Sequence, residues 1–185
     1  MQKLTNWLDK TASGPRLIAV IIANCFIVLW LIPWSLAHWM PGHANNLLDL
    51  KFAYSADDAA ATIASFGDAA RAGYRRFALS VDLIWPIGYG LQFAWIIALL
   101  KRKARHAMAA CPFYPIITMF VLDLLENSTV ALLVTIFPTQ PEILGWAVSA
   151  FTTTKWLAFG ATFIVIFWLS LVVISQGRSM KKPPP

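Results

Sequence analysis

Charge is what this sequence has least of. Lysine, arginine, aspartate and glutamate make up 13% of the residues, about half of the roughly 25% usual in a soluble domain. Cysteine is also scarce. Cys25 and Cys111 are too few and too widely spaced for a disulfide framework or a close-set metal cluster, so packing is the expected use of both. There is no glycine-rich cofactor loop and no nucleophilic triad pattern. The formal charge of +6 does not imply nucleic acid, because the basic residues flank apolar runs and form neither a stripe nor a recognition helix.

What is abundant is apolar: 58% of residues are hydrophobic. They fall into four runs, predicted as membrane-spanning helices at about 17–37, 77–100, 112–137 and 147–174. The first run is longer than the roughly 7–15 apolar residues of a signal peptide and is expected to be a retained helix, with Pro33 kinking its end. The fourth apolar segment, Leu144 to Ile174, exceeds the roughly 20 residues that one crossing needs, so it must tilt or project beyond the hydrocarbon. Many of the tryptophans sit near run ends, where amphipathic rings prefer the headgroup level.

Basic residues set the orientation. Lys3, Lys10 and Arg16 precede the first span, Lys101, Arg102, Lys103 and Arg105 follow the second, and Arg178, Lys181 and Lys182 follow the fourth. Four spans put all of these on one side, which the positive-inside rule makes cytoplasmic. Lys51, Arg71, Arg75 and Arg76 fall on the other side. His106 extends the cytoplasmic basic patch, and the tail from 178 to 185 is expected to be disordered.

The long loop after the first span carries its own signals. Ser55 and Asp58 have capping-box spacing, with Asp57 suited to a first helical turn. Ile63, Phe66, Ala70 and Tyr74 keep a helical rhythm, predicting an amphipathic outer helix over about 55–75. The fold class is thus all-α: a polytopic four-helix membrane bundle, residues 1–177, with an extra outer-loop helix.

Asp82, Asp123, Glu126 and Lys155 interrupt the spans, and a charge in mid-bilayer costs about 2.5–3.5 kcal/mol on insertion scales. Asp123, Glu126 and Asn127 stand three and four residues apart, on one broad helix face, and Asp82 and Tyr89 are seven apart. Counted from the span ends, the four charged groups fall in overlapping outer-half layers. Lys155 is expected to pair with one carboxylate, leaving acids free for proton relay or acid/base chemistry. A structural polar network is the rival expectation.

Other motifs are weaker. The N-S-T at 127–129 fits a glycan acceptor but falls inside a span. The Gly88-Tyr89-Gly90 triplet occurs once, within a helix, and lacks a potassium-filter context. His38 and His43 flank the outer end of the first span, where interface or loop roles outweigh metal binding.

The segments LKFAYSADDA at 50–59, FGDAARAGYRRF at 66–77, SVDLIWPIGYG at 80–90 and VLDLLENSTV at 121–130 together resemble a family of small, uncharacterised bacterial integral membrane proteins. The resemblance covers about residues 50–130. It implies a bacterial inner-membrane location and transfers no reaction, cofactor or site residue. The leading functional expectation is a membrane structural or accessory protein in contact with lipids and a homodimeric or larger complex. The alternatives are a small enzyme acting on a lipid, quinone or other hydrophobic substrate through carboxylate acid/base chemistry, and a proton-coupled or ion transport component.

Overall fold

A computed structural model describes residues 2–104 and 111–179, with only the backbone for Cys111 and for 177–179. The expectations for Arg105, His106, the Cys111 side chain, the Arg178 side chain, Lys181, Lys182 and the tail from 180 on lie outside the described residues. Every regular element that is described is helical. Four stretches are long and apolar enough to cross a membrane: Gly14–Trp39, Asp68–Lys103, Tyr114–Thr135 and Glu142–Gln176. Leu29, Ile164 and Phe167 on these stretches are each more than half exposed. So much outward apolar surface is foreign to a soluble monomer and natural against lipid.

Chain order explains how the helices meet. Helix α1 (Gln2–Thr11) buries Leu8 and Thr5, and α2 (Gly14–Phe26) begins three residues later. A π-helical turn at Ile27–Leu31 joins α2 to α3 (Ile32–Trp39). Pro33 offers no N–H to the preceding turn. The wider turn, in which the Ile32 N–H reaches the Ile27 carbonyl, carries the helix past it. The adjustment expected at Pro33 therefore occurs one turn earlier.

Helix α6 (Val81–Lys103) runs antiparallel to this first stretch. At one end Trp95 donates its indole N–H to Thr11 over 3.2 Å, and Arg102 donates to the Ala12 carbonyl. At the other end α5 (Asp68–Ala78) crosses α3 so closely that a Cβ on Gly73 would lie 1.9 Å from the Trp39 carbonyl oxygen. Helix α7 (Tyr114–Thr135) starts beside Phe113, whose ring has Lys101 Nζ 5.0 Å from its centre, and returns to Arg71. Helix α8 (Glu142–Ser179) packs along α7. Its 38 residues extend about 57 Å at 1.5 Å per residue, and its first turns carry α4 (Ala56–Ala64).

Three further features differ from the sequence expectation. The short α1 lies outside every predicted helix, because its polar residues hide a one-sided apolar stripe. The outer helix expected at 55–75 is two helices, α4 and α5, separated at Gly67. Glycine weakens the helix there, and Asp68 in the first turn of α5 favours a new start. Ile63, Phe66, Ala70 and Tyr74 are all buried, as their rhythm implied, but they reach the core from both sides of this bend. Cys25 is exposed and does not serve core packing.

The Ser55 cap is as expected. Its hydroxyl accepts the Asp58 N–H at 3.0 Å, and the Asp58 carboxylate accepts the Ser55 N–H at 3.1 Å. The Ser55 hydroxyl, which also approaches the Asp58 carboxylate as a donor at 2.8 Å, and the Ser55 N–H hold that carboxyl below the ordinary carboxylate range.

Candidate functional site

The site begins with one face of α7. Asp123, Glu126 and Asn127 share it by their spacing, and all three are buried. Antiparallel packing of α8 then delivers Lys155 to the same level. Its ammonium bridges both acids, 3.2 Å from Asp123 Oδ1 and in direct contact with Glu126 Oε2. The sequence suggested one partner for this lysine; the structure gives it two. The reason is geometric: acids three residues apart lie side by side on a helix, so one ammonium between them reaches both.

Helix α6 supplies the opposite wall. Tyr89 donates to Asp123 Oδ2 at 2.5 Å, and Asn127 donates to the backbone carbonyl of Asp82 at 3.0 Å. Asn127 thus positions α6 and does not touch the acid itself. Among the described residues no hydrogen bond or ion pair reaches the Asp82 carboxyl, although Asp82 is only 6% exposed.

A cavity of about 220 Å³ lies between these walls, with Asp82, Tyr89, Asp123 and Lys155 on its lining. Trp85, Trp156, Phe159 and Leu50 form much of the rest, and Trp156 and Leu50 are exposed at the rim. Of the residues singled out in the sequence, these four polar groups share the cavity. Glu126 stands behind it, wholly shut off from solvent, and takes the role of a strut.

Sequence reasoning missed the fourth wall. Residues 49–54 lie as a strap along α8, fastened at successive turns. Trp156 donates to the Asp49 carbonyl at 3.3 Å and Thr153 to the Phe52 carbonyl at 2.9 Å. Ser149 donates to the Tyr54 carbonyl at 2.6 Å while its oxygen accepts the Tyr54 N–H at 3.2 Å. The Tyr54 hydroxyl lies 3.0 Å from Thr152, which donates to Glu126 Oε1 at 2.6 Å. Positions 149, 152, 153 and 156 form one stripe at helical spacing. That polar stripe in an otherwise apolar helix was the signal that could have revealed the strap.

The strap also brings a further acid, Asp49, whose Oδ1 is buried without a hydrogen bond. Burial pushes its carboxyl above the ordinary range, opposed by the neighbouring Lys155 ammonium. Burial likewise raises the Tyr54 hydroxyl, which keeps it a neutral donor.

The weaker motifs bring no chemistry of their own to this site. His38 bonds within α3 to the Trp34 carbonyl at 2.8 Å, and His43 packs edge-on against Phe66. The Gly-Tyr-Gly triplet is ordinary α6 helix, and Asn127 is buried where no glycan could attach. Among the described residues, no three His, Cys, Asp or Glu side chains form a metal-binding group. No protein-family model, curated protein or solved structure matches the chain.

Proposed function

We propose that this is a multi-pass protein of the bacterial cytoplasmic membrane, a four-helix bundle with both termini cytoplasmic. Its cavity receives the polar end of an amphiphilic ligand and exchanges a proton with it. One observation carries the reading: Tyr89, Asp123 and Lys155 form a hydrogen-bonded chain that ends on an open cavity, beside the unpartnered Asp82. Such a chain can take up or deliver a proton at Tyr89 or Asp123 while Lys155 steadies the negative charge. The volume of about 220 Å³ is below the roughly 300–1,000 Å³ of pockets for drug-sized ligands. It suits a polar head whose apolar remainder stays outside, past Trp156 and Leu50.

The test is reconstitution in nanodiscs of bacterial lipid, with bound amphiphiles identified by native mass spectrometry. Asp123→Asn and Tyr89→Phe should lose or fail to convert a ligand that the wild type retains. Identical bound species in all three, with unchanged membrane lipid and quinone pools, would sink the reading.

A structural or accessory role is the second reading. Glu126, sealed behind Lys155, and the Tyr54–Thr152 link favour it, because they lock elements together from behind the cavity. Reproducible capture of one large membrane complex, indifferent to Asp123→Asn and Tyr89→Phe, would support that role over ligand chemistry.

A further inference from the structure

We infer that the cavity selects ligands whose polar end is an organic ammonium group. This rests on the reading of the cavity as a ligand site and names the class of ligand. Charge is the first argument. Among the described residues, Asp49, Asp82, Asp123 and Glu126 surround a single cation, Lys155. That lysine is ion-paired with Asp123 and Glu126, which leaves Asp49 and Asp82 without an ion pair among the described residues. The nearest basic residue in sequence on the strap, Lys51, is turned to Thr62 of α4, with Nζ 2.8 Å from its hydroxyl oxygen.

The second argument is independent of the charge count. Asp82 is more than nine-tenths buried and lines the cavity, and its carboxyl has no hydrogen-bond partner among the described residues. A buried carboxyl left unmatched by the fold is costly. A positively charged donor entering the cavity would supply the missing partner. An anionic head would instead face this acid and Asp49, with no unpaired cation among the described cavity-lining residues to offset them.

The rest of the wall fits the same ligand. Trp85 and Tyr89 meet edge to face at 5.5 Å between centroids, and Trp156 and Phe159 do so at 5.7 Å. These two aromatic pairs bound the cavity on α6 and α8. Aromatic faces attract ammonium groups and tolerate the methylenes attached to them. The cavity therefore offers an acid for the charge and rings for the carbons around it. Such an ammonium can belong to a lipid headgroup or to a free alkylamine.

The experiment is calorimetric titration of the full-length protein in a non-ionic detergent with hexylammonium, hexanol and hexanoate. Hexylammonium should bind most tightly. Asp82→Asn, nearly isosteric, should weaken hexylammonium by about tenfold or more, the worth of one charge-assisted hydrogen bond, and leave hexanol unchanged. Trp156→Leu, at the exposed rim, should weaken hexylammonium selectively even if the buried variant folds poorly. Equal affinity for hexylammonium and hexanol, unmoved by either variant, would overturn the ammonium assignment and leave the cavity as a ligand site. Tight hexanoate binding would overturn it too. Failure of all three probes to bind the wild type would count against the ligand-site reading as well.

Nanodiscs separate the two sources. Loss of hexylammonium binding in discs of phosphatidylethanolamine, but not of phosphatidylglycerol, would support a lipid ammonium. Equal binding in both would support a free amine.

Discussion

Lys155 touches Glu126, a carboxylate with no exposure to solvent, while the same ammonium lies 3.2 Å from Asp123 on the cavity wall. The lysine therefore joins a sealed part of the protein to an open one. Its two acids do different work: Glu126 holds α7 to α8, and Asp123 presents a hydrogen-bonded carboxylate to the cavity.

Lys155→Met should be the most damaging single change in the site. It leaves two buried carboxylates without their cation, and removing one member of a buried pair typically costs about 3–5 kcal/mol. Thermal unfolding in detergent should show a large drop for Lys155→Met, recovered in part by Lys155→Met with Glu126→Gln. A double variant no more stable than the single one would contradict the pairing.

The strap should loosen when its hydroxyl link is cut. Thr152→Val keeps the shape of the side chain but removes the hydrogen-bond partner of the Tyr54 hydroxyl and of Glu126 Oε1. An unsatisfied buried polar group costs about 1–3 kcal/mol. Amide hydrogen exchange across residues 49–54 should quicken, with little change in α6. An unchanged exchange rate in the strap would show that Thr152 does not hold it.

Asp49 gives the strap a pH dependence. Its carboxyl is raised above 3.8 in the folded protein, chiefly by burial. Below that value it is protonated in both folded and unfolded chains and makes no difference. As pH rises above 3.8, the unfolded chain releases the proton first, so this group increasingly opposes folding until the folded carboxyl also ionises. Asp49→Asn should therefore gain in melting temperature relative to wild type as pH rises from the acidic range. A gap that stays constant with pH would contradict the assignment.

Two glycines should differ in tolerance. A Cβ on Gly73 would meet the Trp39 carbonyl oxygen at 1.9 Å, whereas one on Gly88 would meet the Asn24 side-chain oxygen at 2.1 Å. Backbone cannot move without separating α3 from α5, but an amide side chain can turn away. Asn24 would then lose its bond of 2.6 Å to Gln92. Gly73→Ala should thus destabilise more than Gly88→Ala, for which overpacking and the lost bond together cost about 1–3 kcal/mol. Comparable melting temperatures for the two variants would overturn this ranking.

Much of this protein could be read along the chain because its determinants are local. Apolar runs located the four long helices, since a helix that faces lipid must be apolar over most of its length. The Ser55–Asp58 box marked the start of α4, as a cap depends on residues only three apart. The acids of α7 could be placed on one face by counting. What counting could not supply was the company each residue keeps. Asp49 reads in sequence as a loop acid, and Thr152 as one threonine among three. Only the folding of residues 49–54 back along α8 makes one a cavity wall and the other a strut. The double pairing of Lys155 and the isolation of Asp82 likewise depend on the relative rotation of α6, α7 and α8, which is set by packing across the whole molecule. The sequence by itself determined that charged residues would lie among apolar helices; tertiary packing decided which of them neutralise one another and which are left to meet a ligand.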